Sequence, residues 1–184
     1  MPVIPAQDPK ILPMVVHPDK RLYTKSEMVG EVTDEIRRFF DQIIEVIKYH
    51  GNAVGLAGVQ VGIMKQIFVS DIDYFLKNFP DASISDPSVK GLYCFADPVV
   101  LEESEEKVTN DEGCMSLPGV RVDITRPKKV KIKFKNYNNE EKIVEVTGYL
   151  AANFLHEIDH CNGITLLSNL SPLKKSMQIK KLEK

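Results

Sequence analysis

The chain has 184 residues, of which 43% are hydrophobic and 27% are charged, and its formal net charge is −2. This length and composition predict a single globular domain, residues 1–184, with a sizeable core. The near-neutral charge argues against a broadly basic surface that would bind DNA, and no apolar run is long enough to cross a membrane.

Residues 1–30 are rich in proline and show no clean periodicity, so we expect an irregular arm over the surface. The first residues lack the basic start and apolar run of a signal peptide. The three cysteines are odd in number and widely spaced, which argues against a disulfide framework. These features together predict a protein of the reducing cytoplasm.

Apolar residues recur with helical spacing over residues 36–47, and charged residues fill the gaps. Thr33 is a suitable N-cap, and Gly51 is a suitable residue just beyond the last turn. The pattern therefore predicts a helix from about 34 to 50.

The middle of the chain favours strands. Residues 66–72 are typical of a buried strand, whereas the mixture of Asp, Ser, Pro and Asn over residues 73–92 predicts a loop insertion. Apolar residues alternate with lysines over residues 130–134, as in a half-buried strand. Asn138-Asn139 then predicts a turn, and residues 143–146 return as the second strand of a hairpin.

A second helix is predicted from about 149 to 160, with Asn162-Gly163 ending it. Residues 171–184 contain five lysines and one glutamate, a local charge of +4, and predict a basic helical tail. The expected fold class is α+β, with mixed or antiparallel β-sheets packed around the central helix 149–160.

That central helix carries His156-Glu157-Ile158-Asp159-His160. Positions i and i+4 lie one turn apart on the same face, so two imidazoles there can hold one metal ion. The intervening glutamate can reach a water molecule on that ion. The chain has only four histidines, so an accidental match is unexpected.

A catalytic zinc-type site has three protein ligands and one open position, so a third ligand is needed. One motif family has a histidine six residues after the second, where this chain has Leu166. A downstream glutamate is another option, and the one acidic residue after His160 is Glu183, in the tail. The remaining option is an upstream thiolate, Cys114, in a turn rich in glycine and proline. Cys-His-His coordination is known in catalytic zinc sites.

Three segments, in order and spacing, resemble the motifs of the peptide deformylases. They are Gly55-Leu56-Ala57-Gly58-Val59-Gln60, Glu112-Gly113-Cys114-Met115-Ser116 and His156-Glu157-Ile158-Asp159-His160. The similarity covers nearly the whole chain, and Leu170-Ser171-Pro172-Leu173 looks like the bacterial class that ends in a C-terminal helix. The resemblance implies removal of the N-formyl group from the methionine of newly synthesised proteins, with release of formate.

The resemblance also implies residue roles. The implied metal ligands are Cys114, His156 and His160. Glu157 is the implied general base, and the side-chain amide of Gln60 and the backbone N–H of Met115 are the implied donors to the carbonyl oxygen. The family implies one divalent ion per chain, Fe²⁺ in the cell, with Zn²⁺, Ni²⁺ or Co²⁺ able to replace it. The donor types by themselves favour zinc.

An extended peptide substrate is expected along the backbone of Val54 and Gly55, in strand-like pairing. Arg121 matches a substrate-contacting arginine of the family, and a solvated surface charge is the alternative interpretation. The residues expected to line the methionine pocket are Tyr149, Ala152 and Asn153. Tyrosine and asparagine are more polar than the family's pocket usually is.

The expected partners are N-formylmethionyl nascent peptides, with neither a membrane nor specific DNA, and the chain is expected to act as a monomer. The basic tail, residues 171–184, is interpreted as a solvated face or, alternatively, as a contact with the phosphate-rich ribosome.

Two other classes of protein could use the same helix. A zinc metallopeptidase would cleave internal peptide bonds and would not need Cys114 or Gln60. A structural zinc domain would need four protein ligands, and no fourth ligand is evident in the sequence.

Overall fold

The computed structural model describes residues 3–4 and 6–182. In chain order the strands and helices are β1 (Val3–Ile4), β2 (Met14–Val15), α1 (Asp34–His50), β3 (Gly55–Ala57), β4 (Ile67–Asp71), α2 (Ile72–Asn78), β5 (Ser83–Ile84), β6 (Leu92–Glu103), β7 (Lys107–Gly113), β8 (Arg121–Pro127), β9 (Lys129–Lys135), β10 (Glu141–Thr147), α3 (Gly148–Cys161) and α4 (Pro172–Leu182). Helices combined with antiparallel strands in one domain confirm the expected α+β class.

Helix α1 has the predicted bounds. Ile36, Phe40 and Ile43 recur along one face and are buried, as an amphipathic helix requires. Thr33 precedes the helix in an extended conformation, although its hydroxyl makes no capping bond. The helix ends at His50, and the capping residue Gly51 has a φ of 66°, in the left-handed region that glycine adopts without a Cβ clash.

The main sheet has six strands in the order β3-β4-β6-β9-β10-β5, and every neighbouring pair is antiparallel. Strand β4 is buried on both faces: Phe68 belongs to one core cluster, whereas Ile67 and Val69 belong to the other, which includes α1. This double burial explains why β4 is a continuous apolar run in the sequence. Strand β3 lies at one edge of the sheet, and β7 and β8 form a separate hairpin.

Helix α3 packs on the face of the sheet opposite α1. Phe154 meets Phe68 and Phe95 edge-on, with ring centroids 5.7 and 4.8 Å apart, and the latter two rings stack at 4.4 Å. Leu150 and Ala151 are fully buried beside them. Because this side of α3 is held in the core, the residues at 149, 153 and 156 turn towards a surface cleft.

The loop insertion predicted over residues 73–92 is wrong. The segment contains most of α2 and all of β5, and Phe75 is buried in the core. Its polar residues lie mostly on the outside, which made the composition resemble that of a loop. The predicted irregular arm, residues 1–30, contains the short pair β1 and β2.

The basic tail is helical over Pro172–Leu182, as predicted, and Glu183 lies outside the residues that the structure describes. Ile179 and Leu182 on α4 pack against a small apolar cluster that includes Leu117 and Leu167. Among the described helices, none is both long enough and apolar enough to cross a membrane.

Candidate metal centre and cleft

Three donor atoms meet where the β7–β8 hairpin approaches α3. The Sγ of Cys114 lies 3.2 Å from the Nε2 of His160. The candidate ligand atoms of Cys114, His156 and His160 all lie within 4.8 Å of one another. The two imidazole rings stand one helical turn apart, with centroids separated by 4.9 Å. The structure therefore brings the three predicted ligands together.

Cys114 reaches this point because β7 ends one residue earlier, at Gly113, and the chain turns. The N–H of Leu117 donates to the Cys114 carbonyl at 2.9 Å, and the N–H of His17 donates to the Ser116 carbonyl at 2.9 Å. Leu117 and Ser116 are fully buried. The turn is therefore fixed from both sides, which holds the thiol against α3.

A buried ion-pair network fixes the orientation of His156 on the side of its ring away from Cys114. Its Nδ1 lies 2.9 Å from Oε2 of Glu112, which leaves Nε2 to face the thiol. Arg126 holds the same carboxylate through two bonds, Nε to Oε1 at 2.6 Å and Nη2 to Oε2 at 3.0 Å. Its Nη1 donates to Asp159 at 2.9 Å. Asp159 is thus a salt-bridge residue of the motif helix.

Sequence reasoning missed Arg126, although a signal was present. Strand β8 buries alternate residues, Val122, Ile124 and Arg126, so the arginine stands at an inward-facing position. A buried guanidinium requires a carboxylate partner, and that requirement points to Glu112.

The charged groups around Cys114 favour its thiolate form. Burial by itself would raise the pKa of Cys114, but His160 and His156 outweigh it and hold that pKa well below its usual value. Burial would lower the pKa of His156, but hydrogen bonds with Cys114 and Glu112 raise it well above its usual value. Burial raises the pKa of Glu157 to about 7. A carboxylate with that pKa can both accept and return a proton near neutral pH.

The two implied donors also lie at the centre. Gln60 is buried, and its Oε1 accepts from the Ala57 N–H at 2.9 Å, which turns Nε2 towards Cys114 Sγ at 3.5 Å and Ser116 Oγ at 3.2 Å. Within the described chain the backbone N–H of Met115 has no hydrogen-bond partner. Both groups border the cleft.

A cleft of about 850 Å³ leads to these residues. Its wall includes every predicted site residue except His160, which lies beneath it. The predicted substrate-binding residues in the wall are Val54, Gly55, Arg121, Tyr149, Ala152 and Asn153. The guanidinium of Arg121 is exposed at the rim and paired with Asp111, with Nε to Oδ2 at 2.6 Å.

Gly55 packs closely against the side chains of Glu157 and Asn153. A Cβ added at residue 55 would lie 2.6 Å from Oε1 of Glu157 and 2.5 Å from Nδ2 of Asn153. The Oδ1 of Asn153 accepts a hydrogen bond from the Ser70 hydroxyl at 2.7 Å. Only glycine therefore fits at position 55 without displacing the carboxylate.

The donor set fits one divalent metal ion. Ligand atoms that share an ion at bond lengths of about 2.0–2.3 Å lie roughly 3.5 Å apart, close to the separation between Cys114 and His160. Among the described residues no fourth candidate ligand joins the group, and Cys161 and Cys94 are buried elsewhere. A three-ligand site beside a buried carboxylate in a cleft is typical of metal-dependent hydrolases.

The family follows from comparison with known proteins. The model of the polypeptide deformylase family matches residues 11–176. Peptide deformylases of Wolbachia pipientis from Culex pipiens and of Rickettsia canadensis are 39% and 40% identical to the chain. These alignments cover 94% and 95%, respectively, of both proteins. The chain belongs to the polypeptide deformylase family, whose members are metal-dependent hydrolases.

Solved structures agree with this assignment. The crystal structure of peptide deformylase from Ehrlichia chaffeensis is 36% identical, with a TM-score of 0.83, and the alignment covers 94% of this chain and 95% of that one. A second structure of that enzyme, in complex with actinonin, has a TM-score of 0.82 with 94% and 96% coverage. The similarity thus extends over the whole fold.

Proposed function

We propose that the chain removes the N-formyl group from the N-terminal methionine of newly synthesised proteins and releases formate. The observation that carries this proposal is the position of Glu157, a buried carboxylate with its pKa raised to about 7, beside the Cys114, His156 and His160 donors at the inner end of the cleft.

Cys114, His156 and His160 would hold the metal ion. Family membership supports Fe²⁺ as the ion in the cell, and Zn²⁺, Ni²⁺ or Co²⁺ also suits a thiolate with two imidazoles. Such an ion, when bound, polarises a water molecule and lowers its pKa towards neutrality. Glu112 and Arg126 keep His156 oriented, so the donor atoms are arranged before the ion arrives.

Glu157 accepts the proton of the attacking water and later returns it to the leaving amine. Negative charge that develops on the formyl oxygen needs donors that are already aimed at it. The backbone N–H of Met115, which has no partner within the described chain, and the amide Nε2 of Gln60 are suitably placed beside Cys114.

The substrate lies extended along the edge of β3. This strand pairs only with β4 within the described sheet, so its outer edge is open to another strand beside Val54 and Gly55. Arg121 contacts the peptide at the rim. The first side chain enters the pocket lined by Tyr149, Ala152 and Asn153.

The basic helix α4 brings the enzyme to its substrate. Lys174, Lys175, Lys180 and Lys181 are exposed or partly exposed, while Ile179 and Leu182 pack inward. This arrangement suits a weak, salt-sensitive contact with ribosomal phosphates. Nascent chains leave the ribosome in the cytoplasm, so the proposed activity belongs in that compartment.

The test is release of formate from formyl-Met-Ala-Ser by metal-loaded enzyme, compared with cleavage of acetyl-Met-Ala-Ser. We expect turnover of the formyl peptide alone. Cleavage of an internal bond in either peptide would support a metallopeptidase instead, and formate release from neither peptide would contradict the proposal.

A further inference from the structure

Four residues form a polar cluster between the edge of the main sheet and α3. Gly55 on β3 and Ser70 on β4 are directly opposite each other in the antiparallel ladder. Asn153 and Glu157 lie one helical turn apart on α3, so their side chains share one face of the helix. Gly55, Asn153 and Glu157 all line the cleft. The fold therefore brings an amide and a carboxylate together beside the backbone of β3.

Ser70 fixes the orientation of the Asn153 amide. The Ser70 side chain is fully buried, and its hydroxyl donates to Oδ1 of Asn153 at 2.7 Å. The oxygen of the amide is thus engaged by β4. The nitrogen, Nδ2, is the amide atom closer to Gly55, and it carries two N–H donors. The buried serine therefore determines which end of the amide faces the cleft.

Glu157 approaches the same place. The position that a Cβ would take at Gly55 lies 2.5 Å from Nδ2 of Asn153 and 2.6 Å from Oε1 of Glu157. Because residue 55 is glycine, no side-chain atom of its own fills this gap. A donor and an acceptor thus border one small space. A slight movement of either side chain, or one water molecule between them, would join the two by hydrogen bonds.

The Glu157 carboxylate requires a donor of this kind. The side chain is buried, and its Oε2 has no hydrogen-bond partner among the residues that the structure describes. A buried carboxylate is favourable only when it accepts hydrogen bonds. In the proposed reaction it must also present one oxygen to the attacking water within hydrogen-bond distance. A donor that holds Oε1 would leave Oε2 for that water.

We propose that Asn153 is a positioning residue, which donates to Oε1 of Glu157 and so orients the carboxylate towards the reacting centre. Ser70 acts through Asn153, because it holds the amide with Nδ2 towards the carboxylate. Asn153 therefore contributes to catalysis in addition to bordering the pocket for the substrate side chain. This inference rests on the proposed deformylase function.

The kinetic test uses metal-loaded enzyme and formyl-X-Ala-Ser, where X is methionine, norleucine or alanine. Asn153→Leu has the same number of side-chain heavy atoms but no donor. We expect kcat to fall about tenfold to a hundredfold by the same factor for every X, with KM changed less than about twofold. The reason is that a misoriented base weakens the transition state and not the binding of substrate. A residue that only lines the pocket would instead change the ratio of kcat/KM between the peptides.

A double-mutant cycle tests the part that Ser70 takes. Ser70→Ala should lower kcat by a smaller factor than Asn153→Leu. In the Asn153→Leu background the same substitution should lower kcat no further, because the serine acts through the amide. Ser26→Ala is the matched control, since Ser26 is also buried, its hydroxyl has no partner among the described residues and it does not line the cleft. Its kcat should equal that of the unsubstituted chain.

A second readout does not depend on activity. In metal-free protein with isotope-labelled asparagine, the side-chain amide signal of Asn153 in the NMR spectrum is assigned by its loss in Asn153→Leu. We expect this signal to shift in Glu157→Gln and in Ser70→Ala. It should not shift in Glu45→Gln, whose carboxylate lies at an exposed position of α1.

The inference is overturned if kcat of Asn153→Leu stays within about twofold of the unsubstituted chain, or if its loss differs between the three peptides. An amide signal that ignores Glu157→Gln would also overturn it. Asn153→Ala, which likewise lacks a donor, replaces the leucine variant if that variant does not fold. In each case formate release by the unsubstituted chain still supports the proposed function, whereas its failure on every peptide would overturn that function itself.

Discussion

At the scale of single residues, Cys114 has a role that the other two cysteines do not share. A thiolate ligand cannot be replaced by a methyl group, so Cys114→Ala should lower bound metal well below one ion per chain and abolish turnover. Elemental analysis of purified protein measures this. Cys94→Ala is the control, since Cys94 is a buried core thiol outside the donor group, and it should keep its metal. Full occupancy in Cys114→Ala would show that the ligand set is wrong.

Glu157 is expected to act on protons without holding the ion. Glu157→Gln keeps the shape of the side chain but cannot accept a proton, so it should retain metal and lose turnover by about 10²- to 10⁴-fold. Formate release and elemental analysis on the same sample separate these effects. Glu45→Gln, at an exposed position of α1, should change neither. A fully active, metal-loaded Glu157→Gln enzyme would exclude this glutamate as the base.

Arg126 offers a test of stability. Burial would raise the pKa of Glu112, but hydrogen bonds with His156 and Arg126 outweigh it, and the pKa lies below its usual value of 4.5. A lowered carboxyl pKa contributes stability above the unfolded-state pKa, and that contribution is lost as pH falls through the folded-state pKa. Arg126→Met should therefore lower the free energy of unfolding by about 3–5 kcal/mol at pH 7, with a smaller difference below pH 4.5.

Urea unfolding of metal-free protein at both pH values measures this difference. Arg121→Met is the matched control on the same strand, because its ion pair with Asp111 is largely exposed and is worth at most about 1 kcal/mol. Equal losses in the two variants would show that the buried network adds no stability of its own.

The residues of the centre were predictable to different degrees. Cys114, His156, Glu157 and His160 carry chemistry in short patterns, so the sequence identifies them before any geometry is known. Arg126 lies in no such pattern, and only the burial phase of its strand reveals it. The contact between Tyr149 and Phe79 joins residues 79 and 149, which are far apart in the chain, and no local pattern encodes it.

At the scale of elements, the long helices α1 and α3 were predicted because many apolar residues repeat along each of them. Helix α2 spans seven residues, too few for the period to stand out from its polar neighbours. Strand β7 has little apolar alternation, because it buries Glu112 and not a hydrophobic side chain. The sequence therefore predicts elements that cover the core better than those that border the cleft.

Helix α4 carries a prediction of its own. Its lysines can be neutralised while Ile179 and Leu182 keep their packing, which truncation of the helix would remove. The variant replaces Lys174, Lys175, Lys180 and Lys181 with glutamine. We expect weaker cosedimentation with ribosomes at low salt and unchanged turnover of short free peptides.

A control for charge replaces four lysines of β9 with glutamine, Lys129, Lys131, Lys133 and Lys135. Three of them pair with glutamates on neighbouring strands, and the change in net charge equals that in the α4 variant. Ribosome binding should survive in this control. Equal binding by the α4 variant and the unsubstituted chain would mean that α4 is not the docking element.

At the scale of the whole molecule, the centre connects two parts of the fold. Cys114 lies in the connection between β7 and β8, and the histidines belong to α3, so a bound ion would crosslink the hairpin to the helix. Removal of the ion with a chelator should lower the melting temperature by about 10 °C, the size expected for a ligand well above its dissociation constant. Differential scanning calorimetry measures the shift, and Cys114→Ala should not respond to the chelator. An unchanged melting temperature after verified metal loss would contradict this crosslink.

The place of α3 in the chain has a consequence for biosynthesis. Every strand of the main sheet precedes this helix, so the ribosome releases the whole sheet before the element that covers its second face. Until α3 emerges from the ribosome, Phe154 cannot pack against Phe68 and Phe95. The nascent chain therefore exposes an aromatic surface that is prone to aggregation. The histidines emerge on the same helix, so the order of synthesis delays metal uptake until the core can close.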